Sequence, residues 1–352
     1  MPLSIDNKLV NQIKSNLLKA QKIVILSHMN PDGDAVGSSL ALQNWLISSF
    51  FCDKNSPIIK IVIPHTCPQD MRYLPLAESI LDAENSLQES LDYIAAADTI
   101  FCVDFSKASR VLPFDNALLQ SQAIKICVDH HHDPDENLFD TIVSVPDLSS
   151  TCELLYWLFC AIHGDKSVND DTARCLYHGI NTDTGGFSYA NEDPSLYEAT
   201  AALMHHPLNA ADVHNRLFNS YTMTKMKTLA FLLYNRFRVF PDQGFAYIYV
   251  SAGDMEELGA SAYDLEGLVN YTLMMEQIKV GAMVKETDGK VRLSFRAKND
   301  FDVNVFAHNY FDGGGHTKAS GATSKYDFAT TVRILETNML RELDIFNKRK
   351  ES

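Results

Sequence analysis

KIVILSHMNPDGDAVGSSLALQNWLISSF, residues 22 to 50, is the stretch on which the fold turns. It opens with KIVILS, a short β-branched run. A loop of Asn30, Pro31, Asp32 and Gly33 follows, and from Ala35 small and apolar residues recur at helical spacing. The next strand pattern is IIKIVIP at 58 to 64, which closes a βαβ unit. Two further runs, TIFCVDF at 99 to 105 and AIKICVDH at 123 to 130, repeat the alternation of strand and helix. The pattern predicts an α/β fold on an open parallel sheet.

Past this region the periodicity turns helical. Leu154, Leu155, Leu158 and Ile162 share one face of a helix, a second is expected over Thr172 to Ile180, and helices continue to about Lys227. His205, His206, Pro207 and the polar segment to Tyr221 read as ground between two domains, 1–221 and 222–352. The second, smaller α/β unit has strand patterns FAYIYVS at 245 to 251, KVGAMVKE at 279 to 286 and VRLSFRA at 291 to 297. Gly313, Gly314 and Gly315 read as a turn before a final helix.

The 352 residues carry 30 Lys and Arg against 45 Asp and Glu, a net charge of −15, which excludes a broad electrostatic grip on duplex nucleic acid. An acidic protein binds phosphate at a focused site, where metal ions invert the local field. Seven cysteines without C-x-x-C spacing read as reduced thiols, Cys102 and Cys127 among them inside apolar runs. The N-terminus interleaves polar and apolar residues, unlike a signal peptide. The longest apolar stretch, Leu154 to Ile162, falls short of the roughly 20 residues that cross a bilayer. A cytoplasmic protein with no membrane partner is expected.

The chemistry sits where apolar runs end. The first runs into Ser27, His28 and then Asp32 and Asp34, the third into Asp104, the fourth into Asp129, His130, His131 and His132. Open parallel sheets bind ligands beyond the carboxyl ends of their strands, so these residues converge. A further acid, Asp183, lies in a Thr-rich turn after a helix. Taken singly, Asp-Gly is an ordinary turn dipeptide and paired histidines occur on solvated loops. Their coincidence at several strand ends points to a dinuclear metal centre, because mixed oxygen and nitrogen ligands suit Mn²⁺, Mg²⁺, Co²⁺ or Zn²⁺.

D-x-D after the first strand, a lone Asp after a later one, Asp-His-His and a further Asp together resemble the four motifs of the DHH phosphoesterase superfamily. Gly313-Gly314-Gly315-His316 with Ala319-Ser320-Gly321 resembles the signature of the DHH-associated C-terminal domain. Within the superfamily the chain looks most like the nanoRNase and pAp-phosphatase subfamily, which is RecJ-like and exopolyphosphatase-related. The resemblance implies a DHH catalytic domain and a smaller substrate-binding domain with a cleft between them.

It also implies roles. His28, Asp32 and Asp104 would hold one divalent ion, and Asp34, Asp104, His130 and Asp183 the other, with Asp104 as the bridge. Mn²⁺ is expected first, with Mg²⁺ and Co²⁺ as alternatives. His131 matches the residue that contacts phosphate or protonates the leaving oxygen, and Asp129 orients its neighbours. Gly314, Gly315, His316 and Lys318 form the substrate clamp. Ser294 and Arg296 share one face of their strand and join that clamp, with Arg110 as a weaker phosphate contact. Two positions depart from the family's pattern: Asp312 precedes three glycines where many relatives have four, and Arg296-Ala297-Lys298 stands where many have Arg-Ser-Lys. No role is assigned to His132.

The activity so implied is hydrolysis of short single-stranded oligonucleotides, pApA or pAp by water activated between two metal ions. Polyphosphate or pyrophosphate hydrolysis is the alternative, followed by cyclic-dinucleotide cleavage and a non-catalytic nucleotide-binding regulator. Phe187 and Tyr189 are candidates for base stacking and equally for the core. The sequence leaves monomer and homodimer both open.

Overall fold

The computed structural model describes residues 3–52, 56–146, 148–188, 193–287, 289–315 and 317–351. The chain divides between Asn219 and Ser220 into two compact units.

In the first unit, α1 (Asn7–Leu17) precedes β1 (Lys22–Leu26), α2 (Gly33–Trp45), β2 (Ile58–Ile63), β3 (Leu81–Asp82), α3 (Ala83–Ala96), β4 (Thr99–Val103), α4 (Asp115–Gln120), β5 (Ile124–Asp129) and β6 (Thr141–Ser144). Four helices follow: α5 (Thr151–His163), α6 (Asp170–Asp183), α7 (Pro194–Leu203) and α8 (Ala210–Phe218). The sheet order is β3-β2-β1-β4-β5-β6, and every neighbouring pair is parallel. Helices cover both faces, so β4 is buried at all five positions, and this is why its sequence runs apolar without alternation. One face packs on α1, α2, α5 and α6 through Ile25, Phe101, Leu40, Trp45 and Phe159. The other packs on α3 and α4 through Ile94 and Leu118.

Two expectations about the helical region need correction. The segment from His205 to Tyr221 is not only a linker: it holds α8, which belongs to the first unit because Val213 is buried in that core and Leu217 packs against it. The helix expected to stop at Ile180 continues to Asp183, so Asp183 is its last residue rather than part of a turn. The Thr184 hydroxyl donates to the Ile180 carbonyl at 2.7 Å, and the left-handed Gly185 and Gly186, with φ of 57° and 63°, then end the helix.

The second unit runs α9 (Met223–Asn235), β7 (Phe237–Phe240), β8 (Phe245–Val250), α10 (Ala252–Leu258), β9 (Val280–Thr287), β10 (Lys290–Ala297), α11 (Val303–Tyr310), β11 (Asp312–Gly315), β12 (Ala319–Ser324) and α12 (Phe328–Glu351). Its sheet has the order β11-β12-β10-β9-β8-β7 and is mixed: only β8 and β9 are parallel. Residues 313–315 are therefore strand, not turn. A Cβ on Gly313 would lie 2.4 Å from that of Ala322, so the glycine lets β11 close onto β12.

Candidate metal centre

The strand order reverses at β1 and β4, and in such a sheet the crevice opens beyond the carboxyl ends of those two strands. Asp32 caps α2 there, its Oδ1 accepting the amides of Asp34 at 3.1 Å and Ala35 at 3.0 Å. Asp34, the second residue of the helix, is fully buried. Its Oδ2 accepts the Thr151 amide at 2.7 Å and its Oδ1 the Cys152 amide at 2.9 Å. These are the first residues of α5, so the positive end of that helix holds the carboxylate. Asp104 leaves β4 with a φ of 62°, a left-handed conformation that aspartate tolerates better than most residues. Its Oδ1 accepts the Thr151 hydroxyl at 3.0 Å.

Both inner imidazoles have their tautomer fixed. His28 Nδ1 donates to the Met29 carbonyl at 2.9 Å, and His130 Nδ1 to that of Leu148 at 3.1 Å. Each Nε2 faces carboxylate oxygens. That of His28 lies 3.2 Å from Asp104 Oδ2 and 3.9 Å from Asp32 Oδ1. That of His130 lies 3.4 Å from Asp183 Oδ2, 3.7 Å from Asp104 Oδ1 and 3.9 Å from Asp34 Oδ2. The two oxygens of Asp104 thus face different imidazoles.

Asp34 and Asp183 meet because α2 and α6 touch with almost no side chain between them. A Cβ on Gly33 would lie 2.1 Å from Thr182 Oγ1, one on Gly37 2.8 Å from the Cys175 carbonyl oxygen, and one on Gly179 2.3 Å from Cys152 Sγ.

Asp34, Asp104 and Asp183 crowd carboxylate oxygens around His130. Burial pushes the Asp34 carboxyl up, against the pull of His130. It pushes Asp104 well above the ordinary range, where Asp34 and Asp32 add their repulsion. The donor set fits a divalent cation, which would supply positive charge there: His28, Asp32 and Asp104 present ligand atoms within 4.8 Å of one another, as do Asp34, His130 and Asp183, and Asp104, His130 and His131.

His131 stands apart. Its Nδ1 donates to Asp129 Oδ1 at 2.7 Å, which also accepts the His131 backbone amide at 3.2 Å. Burial works to lower the pKa of His131, but the Asp129 hydrogen bond and the charges of Asp104 and Asp129 outweigh it and raise it. Burial likewise works against the Asp129 charge, yet the His131 contacts hold its carboxyl below the ordinary range. Arg110 is exposed at the same end of the sheet; its charge acts on His131, and its carbonyl accepts the Met29 amide at 2.8 Å. His132 is exposed.

In the second unit β10 alternates as its sequence predicts: Leu293, Phe295 and Ala297 are buried, and Arg292, Ser294 and Arg296 share the opposite face. Gly314, Gly321 and Ser294 lie in one cross-strand row, and the Cβ positions of both glycines are open but for ordinary contacts at 3.6 and 3.8 Å. Arg296 stands beside this cleared floor, and Gly315 is exposed at its edge. The Lys318 ammonium donates to the Asn299 carbonyl and lies 3.7 Å from Asp300. His316 and Tyr189 lie outside the described residues.

Sequence reasoning missed Thr151 and Cys152, which anchor Asp34 and, through the Thr151 hydroxyl, Asp104. Ser150-x-x-Glu153 carried the signal of a helix start at this point.

Buried carboxylates and imidazoles gathered at the switch point of a parallel sheet, followed by a second α/β unit, are the equipment of a hydrolytic phosphoesterase. The chain belongs to the DHH family: residues 22–180 match the DHH family, N-terminal domain, and residues 242–337 match the DHHA1 domain. It is 27% identical over 316 residues to the bifunctional oligoribonuclease and PAP phosphatase NrnA of Bacillus subtilis, covering 89% of this chain and 92% of that one. An exopolyphosphatase-related protein of Bacteroides fragilis has a crystal structure that superposes with a TM-score of 0.91 at 27% identity, over 99% of this chain and 100% of the other. RecJ of Thermus thermophilus, solved in complex with Mn²⁺, shares the fold at a TM-score of 0.51 and 13% identity, over 97% of this chain and 56% of RecJ. Among the described residues no helix is long and apolar enough to cross a membrane.

Proposed function

We propose that this protein hydrolyses short oligonucleotides and 3′-phosphorylated nucleotides such as pAp at a two-metal site in its N-terminal domain, residues 1–221, with residues 222–352 binding substrate. The observation that carries the reading is the division of Asp104, whose Oδ2 faces His28 while its Oδ1 faces His130, as a bridging carboxylate requires. Similarity to the B. subtilis oligoribonuclease and PAP phosphatase supports the substrate class.

His28, Asp32 and Asp104 would hold one ion and Asp34, Asp104, His130 and Asp183 the other, with Mn²⁺ first and Mg²⁺ or Co²⁺ able to replace it. Two such ions would supply Lewis acidity toward the phosphoryl group and lower the pKa of bound water. Around them the chain does the rest. The amides of Thr151 and Cys152 hold Asp34 in place. Asp129 Oδ1 holds His131 by Nδ1, which leaves Nε2 to carry a proton to the leaving oxygen. In the second unit Arg296, Ser294 and the floor of Gly314 and Gly321 receive a substrate phosphate, with Gly315, His316 and Lys318 as further contacts; in the first, Arg110 is a separate, weaker phosphate contact. Cys102, Cys127, Cys152 and Cys175 are buried free thiols, as suits the reducing cytoplasm.

Phosphate and nucleotide release would be measured on the purified full-length chain with Mn²⁺, offering pAp, pApA, a dinucleotide to pentanucleotide ladder, pyrophosphate and polyphosphate. Turnover of pAp and the short oligonucleotides is expected. Release from pyrophosphate or polyphosphate alone overturns the reading.

A further inference from the structure

The turn that ends α6 carries more than a helix stop. Gly185, Gly186 and Phe187 are consecutively left-handed, with φ of 57°, 63° and 66°. The glycines adopt that conformation freely, whereas a bulky aromatic does so only when its surroundings impose it, and such outliers gather at functional sites. Here the Thr184 hydroxyl accepts the Phe187 amide at 3.0 Å and holds the turn.

The Phe187 ring is stacked on Tyr197 of α7, with centroids 6.0 Å apart and planes 27° from parallel, and Tyr197 is half exposed. On the other flank the backbone of Gly186 rests against α8: a Cβ there would lie 3.2 Å from the Phe218 ring and 3.5 Å from that of His214. Those two rings are themselves 4.9 Å apart, and His214 is exposed. Four aromatic side chains therefore surround one turn, and none of the four is fully buried. That turn begins at the residue after Asp183, whose carboxylate faces His130.

We infer that Phe187 and Tyr197, flanked by His214 and Phe218, form a stacking platform for the base of a nucleotide whose phosphate lies at the Asp183 side of the metal centre. The inference rests on the hydrolytic reading above and deepens it. A pyrophosphate or polyphosphate chain has no flat apolar group to set on such rings, whereas every nucleobase has, and stacking accepts any base.

Binding of adenosine 5′-monophosphate and of ribose 5-phosphate would be titrated against the full-length chain, and the ratio of their dissociation constants taken. Loss of one stacked ring typically weakens binding by roughly five- to a hundredfold per base. The intact protein should prefer the base-bearing ligand by a factor in that range. Tyr197→Ala, at a half-exposed helix position, and Phe187→Leu should both bring the ratio toward one, while Tyr234→Ala, an exposed ring on α9, keeps it. A ratio near one in the unaltered protein, or one that survives Tyr197→Ala, overturns the platform. Dinucleotide turnover without base preference leaves the hydrolytic reading standing and removes the platform. Base preference without nucleotide turnover does the reverse.

Discussion

The two sheets of this protein put their polar residues in different places. In the parallel sheet the charged residues stand at strand ends: the buried residues of β1, β4 and β5 are uncharged until the strands finish. In the mixed sheet polar residues stand on a face, where Arg292, Ser294 and Arg296 alternate with core residues along β10. A sheet covered on both sides can expose polar groups only at its edge, where contributions from distant parts of the chain meet at one point. In the second sheet β8 and β9 are also buried on both faces, and it is along β10 that polar residues alternate onto a half-buried face and spread over a surface. The first arrangement suits a compact charged centre, the second a recognition surface.

This contrast is open to attack, most forcefully at Asp104. Asp104→Asn keeps the shape and the tolerance for a left-handed φ but removes the charge shared by both imidazole groups. Turnover should fall beyond the roughly 10²- to 10³-fold that loss of one preorganised electrostatic group costs. Steady-state assay together with metal analysis of the purified variant checks this, and near-normal activity with full metal content would sink the bridging role.

His131→Ala should act differently, lowering turnover by roughly 10²- to 10⁴-fold, the range for a lost proton donor, while metal content stays close to that of the unaltered protein. Loss of metal in this variant would place His131 among the ligands. The smallest effect is expected on the open face. Arg296→Ala should raise KM for pAp by roughly ten- to a hundredfold, the equivalent of about 1.5 to 3 kcal/mol for one charge-assisted contact. A small artificial phosphodiester should be cleaved almost as before. Equal losses on both substrates would dissolve the distinction between edge and face.

The same contrast explains what could be read from the sequence. The four long parallel strands stood out as apolar runs, and the ends of three of them led directly to His28, Asp32, Asp34, Asp104 and His130. β3 is two residues long and β6 four, too short for any period to register. β11 escaped because glycines punctuate turns far more often than they form an edge strand. Thr151 and Cys152 escaped for another reason: they hold Asp34 through backbone amides, which every residue but proline possesses, so their side chains do not advertise the role. Asp183 looked like a turn residue because two glycines follow one residue after it.

The glycine contacts between α2 and α6 have a consequence for how such a protein can diversify. At Gly37 the obstacle to any side chain is a main-chain oxygen, and at Gly179 it is Cys152 together with Asp34 Oδ1, 2.9 Å from the position a Cβ would take. A single substitution at either point must displace a helix or a candidate ligand. These positions are therefore closed to gradual drift, and acceptable changes are left to the open face of β10 and the aromatic turn after Asp183. Variation in descendants of this chain should gather at those two surfaces, with the α2–α6 contact inherited unaltered.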